Sequence, residues 1–399
     1  MPWSRDLGGS RVQVELADEW SALGCEITKF DCTDAFPWLA PLSRFSRRFA
    51  MLASLCGPSF ASRARAFVRS HAGEFDIIDC HQGNLPYAKS DLGFTGLLVA
   101  RSVGLYAFYS EYARAEAEKA STTPAPSGGL AGRIHRWLLN RQNRDADEQY
   151  AQSLQVADVI NLPNDDERRY VAEVLGLGEK CTVQPFGLSK QRLAAFERAQ
   201  GPAAERLAAK EVVFIGAWSS RKGSRDWAGI VAKVRLAVPA ARFKFLGTGT
   251  SPEKVLADLR QTPCDWIEII PQYASDDLPA LLADSTVGAF PSYIEGFGFA
   301  VLEKLAAGLP TVAYDVPGPR AMLCEGAPLV LVPRGDLRAF AGAICAKLSL
   351  PEDKYRVSSM AALHRSHHFS WTAIARETLD FYEGARDTVR SRQFSSNPR

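Results

Sequence analysis

The length, composition and charge of the chain exclude several classes of protein. It has 399 residues, of which 46% are hydrophobic and 23% are charged, and its formal net charge is only +2. These values are typical of a globular chain with two cores of about 200 residues each, and they exclude disordered and fibrous proteins. The total charge gives no support to a nucleic-acid partner. No run of about 18 uncharged apolar residues occurs, so no membrane span is predicted.

The cysteines and the first residues bear on metal binding and on location. The eight cysteines include no Cys-x-x-Cys pair, which favours free thiols over a metal site or a disulfide framework. The segment from Met1 to Asp6 lacks the basic and apolar regions of a secretory signal. We therefore expect a cytoplasmic protein.

One segment of the first half is strongly basic. No acidic residue lies between Asp34 and Glu74, whereas arginines and phenylalanines are interleaved there. The arginines are Arg44, Arg47, Arg48, Arg63, Arg65 and Arg69, and the phenylalanines include Phe45, Phe49, Phe60 and Phe67. Two interpretations stay open: residues 35–73 contact anionic lipid at the inner face of the membrane, or they form a basic helix pair that covers the domain.

The first half of the chain is predicted to alternate helices and strands. Apolar residues at helical spacing predict a helix from Ser10 to Leu23, which Gly24 would end. The predicted strands are Cys25–Phe30, Phe75–Cys80 and Val156–Leu162. Residues 120–129 are rich in serine, threonine, proline and glycine and are predicted to be a loop within this half.

The second half repeats the alternation. Its predicted strands are Val212–Ile215, Phe243–Leu246, Ile267–Ile270, Val287–Phe290 and Thr311–Tyr314. Because strands separated by helices form crossover connections, both halves are predicted to contain parallel sheets. The predicted fold class is α/β, with two Rossmann-like, doubly wound parallel-sheet domains and a ligand-binding cleft between them.

The boundary between the two domains is predicted near the turn at Pro185 to Leu188. The alanine- and charge-rich stretch that follows has few residues that would support a core. We predict a first domain at 1–190, a linker at 191–207, a second domain at 208–370 and a final helix at 371–390.

The strongest functional signal is the segment from Pro291 to Glu303, with the sequence PSYIEGFGFAVLE. It follows a buried-strand pattern and begins a helical one, so Gly296 and Gly298 lie in a turn at a helix start. The amides from about Phe297 to Ala300, with the positive end of the helix, would form a site for a diphosphate.

Two carboxylates flank this turn. Glu295 precedes the turn and is placed to face a sugar, whereas Glu303 lies within the helix and could accept hydrogen bonds from ribose hydroxyls. Spacing alone leaves an alternative open, in which Glu303 is a solvated helix residue and Glu295 is only a cap.

The segment from Glu295 to Glu303 resembles the Glu-x7-Glu motif of retaining glycosyltransferases of family four, the glycosyl transferases group 1, which have the GT-B fold. Further similar segments follow in the family's order. They are Phe214–Gly216, Arg221–Gly223, Phe245–Gly249, Ala306–Ala313, Pro317–Arg320 and Phe369–Trp371. In the first half the match depends on Gly8–Ser10, His81 and Gln184–Gly187.

The resemblance implies a set of functional residues. Those implied to act in catalysis are Glu295, Lys222 and His81. Those implied to bind the donor are Gly8, Gly9, Gly216, Arg221, Lys222, Phe297, Gly298, Phe299 and Glu303. It further implies that the first domain binds the acceptor, that the second binds the nucleotide sugar, that the final helix crosses back to the first domain, and that no metal or other cofactor is needed.

His81 has two readings on the sequence alone. It follows a predicted buried strand at the end where parallel sheets present functional side chains, and a neutral imidazole there could hydrogen-bond a sugar hydroxyl. A histidine that satisfies the backbone of a loop fits the same position. The resemblance favours the first reading.

Three features depart from the family pattern. Gly8 and Gly9 arrive after only seven residues, which leaves little room for the strand that usually precedes them. Two interpretations stay open: the true start lies upstream, or the first sheet lacks this strand. Ala217 stands where relatives commonly carry arginine, and Arg221 could supply that charge from another position. Val103 stands where related enzymes often have histidine, so the acceptor side is expected to differ.

The predicted function is transfer of a sugar from a nucleoside diphosphate donor to an acceptor hydroxyl with retention of configuration. The expected acceptor is a saccharide or a lipid-linked saccharide, in the synthesis of a cell-surface polysaccharide or glycolipid. Two alternatives stay open: a GT-B protein that binds sugar nucleotides without transfer, and a GT-B phosphorylase or epimerase.

Overall fold

The computed structural model describes residues 3–5, 8–37, 59–121, 146–323 and 328–395. The chain divides into two compact units. The first unit comprises Met1–Gln184 and Ala375–Arg399, and the second comprises Pro185–Ile374. The predicted loop at 120–129 lies outside the described residues from position 122 onward.

The first unit contains a parallel sheet of four strands in the order β1-β2-β3-β4. The strands are β1 (Ile77–His81), β2 (Leu97–Arg101), β3 (Val159–Leu162) and β4 (Cys181–Val183). The helices are α1 (Gly8–Ala22), α2 (Cys32–Ala35), α3 (Phe60–His71), α4 (Lys89–Leu92), α5 (Tyr106–Ser121) and α6 (Asp165–Glu173), with a helical segment at 146–156 and a 3-10 turn at Gly178–Lys180. Every residue of β2 and β3 is buried, as expected for central strands of a parallel sheet.

The predicted helix in residues 10–23 is confirmed and extends over Gly8–Ala22. Its apolar face is buried because Val12 and Leu16 recur at helical spacing. Gly24 then adopts a φ of 94°, a left-handed conformation that glycine tolerates better than other residues. The chain therefore leaves the helix where the sequence predicts.

The predicted strand at Cys25–Phe30 is wrong. These residues form no strand, although the predicted strands that correspond to β1 and β3 are confirmed. Phe30 instead stacks on Phe67 of α3, with ring centroids 4.4 Å apart. The apolar side chain of Phe30 is thus packed against a helix, although its backbone belongs to no β-sheet. Among the described residues no strand precedes β1 in the chain.

The second unit contains a parallel sheet of six strands in the order β10-β9-β8-β5-β6-β7. The strands are β5 (Glu211–Ile215), β6 (Arg242–Leu246), β7 (Ile267–Ile270), β8 (Val287–Phe290), β9 (Thr311–Tyr314) and β10 (Leu329–Val332). The five strands predicted in this half are confirmed. β10 was not predicted from the sequence.

Helices surround this second sheet. They are α7 (Lys190–Ala199), α8 (Ala203–Ala209), α9 (Trp227–Ala237), α10 (Pro252–Leu259), α11 (Leu278–Leu282), α12 (Phe299–Ala306), α13 (Pro317–Ala321), α14 (Leu337–Leu348), α15 (Glu352–His367) and α16 (Trp371–Ser395), with 3-10 turns at Ser220–Lys222 and Ser275–Asp277. The last of them, α16, begins in the second unit, and its residues from Ala375 onward belong to the first.

Residues 191–207, predicted as a linker, are instead mostly helical and lie in the second unit. Leu193 and Phe196 of α7 are buried, and so is Arg206 of α8. The Arg206 guanidinium donates hydrogen bonds to the carbonyl oxygens of Ser285 at 3.0 Å and Ala307 at 3.1 Å. The stretch is therefore stabilised by a buried arginine that donates hydrogen bonds to backbone carbonyl oxygens. The spacing of apolar residues along the chain does not predict such a contact.

A buried lysine lies between α12 and the sheet. The Nζ of Lys304 is fully buried and donates a hydrogen bond of 3.1 Å to the carbonyl oxygen of Ala289. A Cβ at Gly288 would lie only 2.6 Å from Lys304 Cδ, so glycine provides the space for this side chain. Burial lowers the pKa of Lys304 to about 7, with a smaller contribution from nearby Lys222 that Glu303 opposes.

We expect Lys304→Met to increase the free energy of unfolding by roughly 3 kcal/mol at pH 6. Below pH 7 the ammonium is charged in both states, so the native state bears the full cost of burying it. As the pH rises from about 7 towards the ordinary pKa of 10.5, only the unfolded state stays protonated and the cost disappears. Urea denaturation at pH 6, 8 and 10 measures this difference.

The matched control is Lys354→Met, which removes an exposed lysine from α15. This control should change the free energy of unfolding only slightly at all three pH values. A stability change in Lys304→Met that is the same at pH 6 and pH 10 would contradict the burial of a charged ammonium.

Candidate functional site

The order of the second sheet places two loops side by side. β5 lies between β6 and β8, and the chain adds strands first on one side and then on the other. The carboxyl ends of β5 and β8 therefore meet at the switch point of the sheet, where doubly wound sheets bind ligands. The loop after β5 carries Lys222, and the turn after β8 carries Glu295.

The loop after β5 approaches the turn after β8 closely. Gly223 has a φ of 80°, and a Cβ there would lie 2.2 Å from the carbonyl oxygen of Pro291. Gly216 begins the loop with a φ of 147°, and its amide donates a hydrogen bond of 2.9 Å to Leu246. Glycine at position 223 is thus required for the two backbones to pack together.

Hydrogen bonds fix the turn after β8 onto the same loop. The amide of Tyr293 donates to the carbonyl oxygen of Arg221 at 2.8 Å, and the Ser292 hydroxyl donates to that oxygen at 3.2 Å. From the other side, the Gly318 amide donates to the carbonyl oxygen of Glu295 at 2.9 Å. The position of Glu295 is therefore defined by backbone contacts from two other segments.

The turn leads directly into α12. Gly298 has a φ of 93° and immediately precedes the first helical residue, Phe299. The first amides of a helix have no acceptor within the helix, and they carry the positive end of its dipole. The predicted helix start at this turn is confirmed.

Three charged side chains converge beside the turn. Lys222 Nζ contacts the carboxylate of Glu295, and Arg221 Nη1 lies 3.8 Å from the same carboxylate. Lys222 Nζ also lies 4.9 Å from the ring centroid of Phe290. Burial lowers the pKa of Lys222, although Glu295 opposes this shift. Arg221 thus places a second cation beside Glu295.

Glu303 is buried on α12 rather than solvated. It is 6% exposed, and Arg192 Nη2 of α7 lies 3.6 Å from its Oε1 atom. Arg192 was missed by the sequence reasoning because it lies in the predicted linker. No local pattern marks it, since its contact with Glu303 depends on how α7 packs beside α12.

The first unit brings together two of the predicted residues. The His81 side chain is half-buried at the carboxyl end of β1 and hydrogen-bonds the backbone of Gly9, while its buried Nε2 atom has no hydrogen-bond partner. Burial lowers the pKa of His81 to about 4, so the imidazole is neutral at pH 7. Gly8 and Gly9 form the first turn of α1.

Predicted residues of the site therefore fall into two groups. The second unit gathers Gly216, Arg221, Lys222, Glu295, Phe297, Gly298, Phe299 and Glu303 around the ends of β5 and β8. The first unit holds Gly8, Gly9 and His81. The divergent Val103 lies in the turn after β2, next to Ser102, whose hydroxyl donates a hydrogen bond of 2.6 Å to Glu167.

Residues 38–58 of the basic segment lie outside the described residues. In the described part, the Arg63 guanidinium lies 4.7 Å from the Phe36 ring centroid, and that of Arg65 lies 4.9 Å from the Tyr87 ring centroid. Phe60 and Phe67 pack against the apolar core. Two of the three arginines of this part, Arg63 and Arg65, are thus held over aromatic rings.

The described residues contain neither a candidate membrane span nor a candidate metal site. No helix in them has the length and hydropathy needed to cross a membrane. Over the same ranges, no group of three or more histidine, cysteine, aspartate or glutamate side chains is arranged to hold a metal ion.

Known proteins are similar to parts of this chain in sequence and to most of it in fold. Residues 209–349 match the family described as glycosyl transferases group 1. D-inositol 3-phosphate glycosyltransferase of Nocardioides sp. is 34% identical over 125 residues, which are 31% of this chain and 27% of that protein. The chain thus spans about a quarter of the length of this relative.

Two solved structures have a similar fold, one over nearly all of the chain and the other over most of it. Sucrose-phosphate synthase from Thermosynechococcus elongatus superposes with a TM-score of 0.64 at 17% identity, covering 98% of this chain and 94% of that one. Anabaena Alr3699/HepE in complex with UDP-glucose has a TM-score of 0.56 at 14% identity, covering 80% and 82%. These similarities confirm the predicted GT-B type of fold, with parallel-sheet α/β units. Residues 209–349, which contain Lys222, Glu295 and Glu303, are therefore similar in sequence to the glycosyl transferases group 1 family.

Proposed function

We propose that the protein transfers a sugar from a nucleoside diphosphate donor to an acceptor hydroxyl, with retention of the anomeric configuration. The observation that carries this proposal is the convergence of Lys222, Glu295 and the start of α12 at the switch point of the second sheet. The matched family and the UDP-glucose bound to Anabaena Alr3699/HepE support a nucleotide sugar as the donor.

Stabilisation of the leaving group is the main catalytic contribution in this proposal. Departure of the diphosphate develops negative charge on its oxygens. Lys222, Arg221 and the amides at the start of α12 are held in fixed positions by the contacts between the two loops, so they can stabilise that charge without rearranging. We propose that these groups act without a metal ion or another cofactor.

Glu295 has a different role in the proposal. In the structure its carboxylate contacts Lys222 and lies near Arg221. A bound diphosphate would compete for both cations, and the carboxylate would then be available to hydroxyls of the donor sugar. We assign Glu295 to binding and positioning of the donor sugar. The acceptor hydroxyl then attacks the anomeric carbon on the same face from which the diphosphate leaves.

His81, Gly8 and Gly9 are the proposed contribution of the first unit. A neutral imidazole with an unpartnered, buried Nε2 atom is suited to hydrogen-bond a sugar hydroxyl. The first amides of α1, from Gly8 and Gly9, are proposed to contact the donor diphosphate. The proposed acceptor is a saccharide or lipid-linked saccharide in polysaccharide or glycolipid synthesis.

Binding without transfer is the second candidate, and the alanine at position 217 favours it because relatives commonly carry arginine there. Calorimetric titration of UDP-, GDP- and ADP-sugars, followed by assays of donor hydrolysis and of transfer to added acceptors, separates the two. Tight binding of a sugar nucleotide with no turnover would exclude the proposed transferase activity. Formation of a sugar phosphate or an epimer in place of a transfer product would indicate a phosphorylase or an epimerase.

We expect Lys222→Ala to lower kcat by about a hundredfold and to change donor affinity much less, because its contact strengthens as the leaving group departs. Steady-state kinetics and calorimetry measure the two effects. The exposed Lys233 of α9 provides a matched control, since Lys233→Ala should leave both unchanged. Equal losses in kcat and affinity would contradict a role in the transition state.

Glu303→Ala should weaken donor binding by about 1–3 kcal/mol, through loss of charge-assisted hydrogen bonds to ribose. Isothermal calorimetry with the nucleoside diphosphate measures it. Glu197→Ala is the control, because Glu197 is an exposed residue of α7. Unchanged affinity in Glu303→Ala would remove Glu303 from the donor site.

Peripheral membrane contact through residues 35–73 is a further part of the proposal. We expect the protein to float with anionic vesicles at low salt and to be released as salt rises, because arginine attraction to lipid phosphates is screened. Vesicles of neutral phosphatidylcholine are the control. Flotation that is absent, or equal on both vesicle types, would remove this contact.

A further inference from the structure

Arg192 is held at a buried position in the second unit. It lies in the first turn of α7, and only 10% of its side chain is exposed. Its Nη1 donates a hydrogen bond of 2.6 Å to the carbonyl oxygen of Ser275, and its guanidinium carbon lies 5.0 Å from the ring centroid of Phe196. One edge of the guanidinium is therefore fixed by protein contacts.

The other edge of the guanidinium has unused donors. The Nε and Nη2 atoms of Arg192 are buried and have no hydrogen-bond partner. Nη2 lies 3.6 Å from Glu303 Oε1, which is close enough for an ion pair but too long for a good hydrogen bond. A buried donor without a partner costs about 1–3 kcal/mol, so a polar ligand atom near Nη2 would remove an existing penalty.

The pair of side chains is complementary to a hydroxyl group. A hydroxyl donates one hydrogen bond and accepts others, whereas the carboxylate of Glu303 only accepts and the guanidinium of Arg192 only donates. A phosphate fits this place poorly, because the adjacent carboxylate would repel it. The two opposite charges together favour a neutral polar group, such as the vicinal diol of a ribose.

The position along α12 agrees with this chemistry. Glu303 lies four residues after Phe299, which corresponds to about 6 Å along a helix axis. A nucleoside diphosphate with its phosphates at the helix start would therefore place its ribose about one turn further along. That is the place where Glu303 and Arg192 meet.

We propose that Arg192 binds the ribose of the donor jointly with Glu303. The carboxylate accepts a hydrogen bond from one ribose hydroxyl, and Arg192 Nη2 donates to the oxygen of that hydroxyl or of its neighbour. This assignment rests on the proposed function, because it requires a nucleoside diphosphate at the start of α12. It adds a donor-binding residue from a segment that the sequence identifies only as a linker.

The test combines a substitution in the protein with the removal of one hydroxyl from the ligand. Calorimetry with the full chain first identifies which of UDP, GDP and ADP binds. That nucleotide and its 2′-deoxy and 3′-deoxy forms are then titrated into the unsubstituted protein and into Arg192→Met. Arg198→Met is the matched control, since Arg198 is an exposed arginine of the same helix.

We expect Arg192→Met to weaken binding of the ribonucleotide by about tenfold, which corresponds to one charge-assisted hydrogen bond. The deoxy form that lacks the contacted hydroxyl should already bind weakly to the unsubstituted protein. Arg192→Met should then weaken it less than twofold further. Arg198→Met should bind all three nucleotides like the unsubstituted protein.

Equal losses for the ribonucleotide and for both deoxy forms would overturn the inference, because a merely structural arginine acts on all three alike. Unchanged affinity for the ribonucleotide would overturn it as well. If Arg192→Met does not fold, Arg192→Lys takes its place, because lysine keeps the positive charge and loses the two-pronged donor geometry. A failure of all three nucleoside diphosphates to bind the unsubstituted protein would overturn the proposed function together with this inference, whereas equal losses would overturn only the role of Arg192.

Discussion

The close contact between two backbones at the carboxyl ends of β5 and β8 is the constraint on which the candidate site depends. Gly223 approaches the carbonyl oxygen of Pro291 so closely that no side chain fits between them. The amide of Tyr293 and the hydroxyl of Ser292 bond to the same carbonyl oxygen, that of Arg221. Because the backbones are fixed, the side chains they carry are held in defined positions.

Helix α12 extends this arrangement into the core. Its start is the anion site that we propose, and its two consecutive charged residues, Glu303 and Lys304, are buried in different surroundings. Glu303 meets Arg192 of α7, whereas Lys304 reaches a carbonyl oxygen of β8. Burial of these charges is costly unless each has a partner, so the packing of α7 and β8 against α12 is tied to the polar chemistry of the site.

A comparable device organises the first unit. Asp79, Arg101 and Asn161 lie on three adjacent strands, and Tyr382 of α16 joins them. Arg101 donates hydrogen bonds of 2.6 Å to Asp79 and 2.9 Å to the Tyr382 hydroxyl, and Asn161 donates one of 2.9 Å to the same hydroxyl. A buried network of this kind fixes its members strongly where their groups are paired, and only the Asn161 Oδ1 atom among these described residues is buried without a hydrogen-bond partner. It anchors the last helix to the sheet that carries His81.

The sequence by itself determined five of the six strands of the second sheet, the glycine turn before α12 and the similarity of residues 209–349 to a glycosyltransferase family. Those signals come from residues that are neighbours in the chain. The predicted strand at Cys25–Phe30 and the predicted linker at 191–207 were wrong. Packing of Phe30 on Phe67 determines the first segment, and the hydrogen bonds of the buried Arg206 stabilise the second. Only the tertiary structure decided that Lys222 contacts Glu295 and that Arg192 faces Glu303. The first pair is separated by 73 residues, and such contacts depend on strand order and helix packing, which local periodicity does not encode.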